Sequence, residues 1–84
     1  VNELKKLRIQ AGVSQRDVAD QLGYSTPQFI SNWERGVSCP PYKSIKKLSV
    51  MYKTSVENLV RIVDTIREQN FREQTARLKK ESRL

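Results

Sequence analysis

Histidine is absent from the 84-residue sequence and cysteine occurs once, at Cys39. Without histidine there is no imidazole acid, base or metal ligand, and one thiol supports neither an internal disulfide nor a multi-cysteine zinc site. No phosphate loop, paired carboxylate site or nucleophile with a nearby base can be assembled. The chain is therefore expected to be non-enzymatic, with no catalytic residue, no metal and no cofactor, and Cys39 is read as a small loop residue. Only six aromatic residues occur, too few for an exposed stacking row of the kind that binds single strands or RNA. Long apolar runs are missing as well. The opening VNELKKLR lacks an apolar stretch of about seven residues, and nothing approaches about eighteen. The expectation is a cytoplasmic chain that neither spans nor binds a membrane.

Positive charge, by contrast, is plentiful: sixteen Lys and Arg face nine Asp and Glu, a net of +7. Residues 1–55 hold nine basic and four acidic side chains, whereas 56–84 hold seven and five, so the first part is the better anion binder. The tail mixes signs as a solvated helix face does. This divides the chain into a domain over residues 1–68 and a charged extension over 69–84, either a prolonged helix or a frayed tail.

Five helical segments are predicted, with hardly any strand pattern. Asn2 can cap the first, which carries Leu4, Leu7 and Ala11 at helical spacing up to Gly12. Ser14 can cap the second and Asp17 can complete a capping box, ahead of Val18, Ala19 and Leu22. Thr26 and Pro27 predict a third helix with Thr26 as cap and Pro27 as first residue. The short connection from Gly23 makes the second and third helices neighbours at a steep angle, a helix-turn-helix. A fourth helix is expected from Tyr42 to Tyr52, and Ser55 can cap a fifth. The expected core is Leu4, Leu7, Val13, Val18, Ala19, Leu22, Ile30, Trp33, Ile45, Leu48 and Leu59, with Phe29 on or near the core side. Val60, Ile62, Val63 and Ile66 widen the fifth helix beyond what one small core requires. Ile62, Val63 and Ile66 are accordingly expected to pair with a second copy; the competing reading folds Ile62 and Val63 back on the first helix or over Trp33.

Leu7-Arg8, Gly12, Ser14-Gln15, Val18-Ala19, Leu22-Gly23, Ile30-Ser31, Trp33-Glu34, Gly36 and Pro40 recur together over some thirty residues. In this joint spacing the run resembles the DNA-binding domain of the phage repressor and Cro family, the xenobiotic response element family of helix-turn-helix regulators, over about residues 4–66. The resemblance implies an all-α, five-helix lambda-repressor-like domain that binds double-stranded DNA as a homodimer at an inverted repeat and acts as a transcriptional repressor. It also implies a salt bridge between Arg8 and Glu34. One residue more than is usual in the family lies between Gly23 and Ile30.

The side chains support the same reading independently. With Ile30 and Trp33 facing inward, Thr26, Pro27, Gln28, Ser31, Asn32 and Arg35 lie nearer the open side of the third helix. Gln28 and Asn32 stand one turn apart, and each amide offers the donor and acceptor that match adenine N6 and N7. Thr26 and Ser31 can add hydroxyl contacts, and Pro27 can touch a thymine methyl. Gln15, first after its cap, can meet a phosphate together with the free helix amides. Arg16, Tyr24, Arg35, Ser38, Lys43 and Lys46 are the further phosphate candidates. No small-molecule effector is indicated. The competing function is a protein-protein interaction module on the same helical fold.

Overall fold

The first, second and fifth helices begin where a short polar side chain takes up a free amide. In the computed structural model, which describes residues 2–82, α1 spans Glu3–Gln10, α2 Gln15–Leu22, α3 Gln28–Glu34, α4 Ile45–Met51 and α5 Val56–Ser82. No strand occurs among the described residues. Asn2 Oδ1 accepts from the Leu4 amide at 3.1 Å, while Asn2 Nδ2 donates to the Trp33 carbonyl at 2.7 Å, pinning the start of α1 to α3. Ser14 and Asp17 form the expected capping box, with the Asp17 amide donating to Ser14 Oγ at 3.0 Å and the Ser14 amide donating to Asp17 Oδ2 at 2.9 Å. The Asn58 amide donates to Ser55 Oγ at 3.1 Å.

Two helix starts differ from expectation. The third helix begins at Gln28 with Pro27, not Thr26, in the cap position. Pro27 has ψ 7°, outside the helical range, so its carbonyl opens the ladder by accepting from the Ser31 amide at 3.0 Å while Thr26 Oγ1 receives the Gln28 amide at 3.4 Å. The fourth helix is preceded by a 3₁₀ turn over Tyr42–Ser44, because the extended Pro41 accepts from the Ser44 amide at 2.9 Å and winds the entry more tightly.

Leu4, Val18, Ala19, Ile30, Trp33, Ile45, Leu48 and Leu59 are buried together as expected, whereas Leu7, Val13 and Leu22 are partly buried around them. The correction concerns α5. Ile62, Val63 and Ile66 are 2%, 0% and 4% exposed within the single chain, so they join the core and are not a surface offered to a second copy. The physical reason is that α5 has two neighbours. It packs on α4 and also runs past α1, where Ile62 and Ile66 face Asn2, Glu3 and Lys6. A stripe wide enough for both looks like surplus when one neighbour is counted. Tyr52 is buried there too.

Beyond Ile66 the helix continues to Ser82, so the extension is helical as far as it is described, and Arg83 and Leu84 of the expected 69–84 segment lie outside the described residues. Ion pairs of opposite sign one turn apart, Asp64 with Arg67 and Glu68 with Arg72, line its surface. None of the described helices is long and apolar enough to cross a membrane.

Candidate nucleic-acid interface

Residues 23–27 separate α2 from α3. Gly23, at φ +83°, turns the chain so that the Tyr24 amide reaches the Ala19 carbonyl at 2.9 Å. The Tyr24 ring then lies 4.7 Å from Phe29 and 5.9 Å, edge-on, from Trp33. Tyr24 is thus a half-buried aromatic brace for the turn. Phe29 covers it from outside and is exposed, not on the core side as expected.

On α3, Ile30, Trp33 and Glu34 face inward. Gln28 and Arg35 are exposed and Ser31 and Asn32 half-buried, with exposed Thr26 and half-buried Pro27 just ahead. The polar edge is internally bonded: Gln28 Nε2 donates to Asn32 Oδ1 at 3.0 Å, and Arg35 Nη2 donates to the same oxygen. At the C-terminus the Val37 and Gly36 amides close onto the Asn32 and Trp33 carbonyls at 3.0 and 3.2 Å, which stops α3 and releases the following loop.

Behind this edge, Arg8 grips Glu34 in a two-pronged pair, Nε to Oε2 at 2.6 Å and Nη2 to Oε1 at 3.2 Å, while its Nη1 donates to the Val13 carbonyl at 3.0 Å. The carboxylate raises the Arg8 pKa, chiefly through the hydrogen bond, against the opposing effect of burial. Gln15 Nε2 also donates to Glu34 Oε1, at 3.1 Å. Its side chain is therefore turned toward the buried pair. What remains at the start of α2 for an anion is the backbone amides of Gln15 and Arg16 and the second hydrogen of the Gln15 side-chain amide.

The other phosphate candidates are spread around α3. Arg16 pairs with Asp20 at 3.4 Å and reaches the Ser25 carbonyl at 3.4 Å. Lys43 and Lys46 are exposed, with no ion pair among the described residues, and half-buried Ser38 follows the loop out of α3. A cluster that sequence reasoning missed braces this loop. Tyr42 Oη donates to Asp64 Oδ1 at 2.6 Å, and the Arg67 guanidinium sits 4.4 Å from the Tyr42 ring centroid. That bond to Asp64 raises the Tyr42 pKa above the usual phenol value. No local pattern signals it, since Tyr42 and Asp64 meet only when the loop lies on α5. No group of side chains that could hold a metal ion occurs among the described residues.

A family model described as Helix-turn-helix matches residues 4–59. The comparison with curated proteins gives no match, and neither does the comparison with solved structures.

Proposed function

The chain belongs to the helix-turn-helix family of non-catalytic DNA-binding domains, and from that premise we propose that it is a transcriptional repressor acting as a homodimer on an inverted-repeat operator. The observation that carries the reading is the two-sided character of α3: a buried anchor of Ile30 and Trp33, and opposite it an outward polar row of Gln28, Asn32 and Arg35. A helix so held fits the major groove, about 12 Å wide, with its amides at base edges. Thr26, Pro27 and Ser31 flank the row. The α2 start at Gln15, together with Arg16, Ser38, Lys43 and Lys46, then supplies phosphate contacts that set register and salt dependence but not sequence choice. Tyr24 contributes by bracing the turn.

The dimer reading rests on a different surface from the one expected at first. Phe71 and Leu78, 68% and 66% exposed, are two turns apart on the projecting half of α5. They lie on one side of that helix, separated by Gln74 and Thr75, and a second copy would cover both. Repression requires nothing beyond occupancy of a promoter by the bound dimer.

Selection of bound sites from random duplex DNA, followed by the protein-to-DNA ratio on the winner, tests this. The expected outcome is a symmetric motif carrying two chains, with half-site centres about 34–36 Å apart or a multiple of that. Failure to enrich any sequence would defeat the proposal, and an asymmetric site holding one chain would defeat the dimer.

A further inference from the structure

The hydrogen bonds along α3 determine which atoms of its polar edge remain available to a base. Asn32 Oδ1 accepts from both Gln28 Nε2 and Arg35 Nη2. A guanidinium has donors only, so the carbonyl end of the Asn32 amide must be the end that faces Arg35. Gln28, meeting the same oxygen, must then approach with its NH₂ group. A carbonyl oxygen has two lone pairs, and both are engaged.

The two amides are left chemically unequal. Gln28 retains Oε1 and one N–H, the pair needed to accept from adenine N6 and donate to N7. Asn32 retains only the donors of Nδ2, which make no hydrogen bond among the described residues. A donor-only group finds its best complement in guanine, whose major-groove edge presents two acceptors, N7 and O6. Building on the proposed DNA-reading role of α3, we infer that Arg35 is a specificity-determining positioning residue: by occupying Asn32 Oδ1 it makes Asn32 a guanine reader and leaves adenine to Gln28.

Sites selected from random duplex DNA by the full chain provide the test. The wild type should show guanine at one position per half-site, and Asn32→Ala should erase the preference there alone. Arg35→Ala frees a lone pair on Asn32 Oδ1. The guanine preference at that position should then fall about tenfold in favour of adenine, with the other positions unchanged. Arg35→Lys, which restores a cationic donor, should recover guanine. Asn32→Asp keeps the acceptor for Arg35 but loses the donors, and should lose guanine while Arg35 is intact. Arg35 is exposed at the end of α3, so melting temperature should not change in Arg35→Ala.

An equal loss of affinity on every sequence, with the salt slope shallower by about 1, would show Arg35 to be a phosphate contact and overturn the inference. Adenine at the Asn32 position of the wild type would overturn it too. If the wild type enriches no sequence at all, the DNA-reading role fails first and this inference falls with it.

Discussion

Glu34 is the residue on which the placement of the reading edge turns. It receives donors from Arg8 and Gln15 while buried, so α1, the start of α2 and the end of α3 share one carboxylate. Removing one partner leaves a buried charge uncompensated. Arg8→Met or Glu34→Leu is expected to cost about 3 kcal/mol in denaturant unfolding, whereas the double substitution should recover most of that loss. The residue types at 8 and 34 made this pair legible through the family resemblance. The third partner was not, because Gln15 turns inward only once α2 and α3 are packed. Tyr52 sets a different dependence. Burial chiefly, and then the negative charge of Glu34, hold its phenol above the ordinary value. An acid harder to ionise when folded contributes stability that is complete below the unfolded pKa, about 10, and is lost as pH rises past it. Thermal melts between about pH 9 and about pH 12 should therefore decline less steeply for Tyr52→Phe than for the wild type.

Helix boundaries illustrate what local chemistry can specify. Asn2, Ser14 and Ser55 cap as expected because a cap needs only the next three residues, and Ser14→Ala is expected to cost roughly 1 kcal/mol of stability in urea unfolding. Asp17, whose pKa the Ser14 amide lowers, adds stability present above the ordinary carboxylate pKa and lost as pH falls through its folded value. The end of α4 breaks the pattern. Lys53 adopts φ +55° where the helix closes, with the Thr54 amide on the Ser49 carbonyl at 3.0 Å. A left-handed lysine costs about 1–2 kcal/mol. Glycine would relieve that strain but frees the unfolded chain by about 0.4–1 kcal/mol. Lys53→Gly should thus raise stability by about 0.5–1 kcal/mol in the same experiment. Where the sequence misled was α5. The periodicity of Leu59, Ile62, Val63 and Ile66 correctly announced a wide apolar face, but whether another chain or α1 covers it depends on tertiary placement. The Tyr42, Asp64 and Arg67 brace was hidden for the same reason.

At the scale of the whole molecule, α5 is 27 residues and about 40 Å long, and it accounts for the 47 Å long axis. Its outer half holds exposed Phe71 and Leu78, on which the proposed dimer contact rests. Phe71→Glu combined with Leu78→Glu is expected to yield a monomer in sedimentation with an unchanged melting profile at low concentration, and to weaken binding to the selected operator; a dimer that persists would move the interface elsewhere. The net charge of +7 governs salt dependence, not sequence choice. Lys43→Ala should therefore make the plot of log affinity against log salt shallower by about 1 without changing the preferred site. The most direct test of the account compares operator with non-specific DNA for the wild type and for Gln28→Ala with Asn32→Ala, at several salt concentrations. The account requires the ratio of the two affinities to collapse in the double variant while the salt slope on non-specific DNA stays the same. A ratio that survives loss of both amides would mean that α3 is not the reading element.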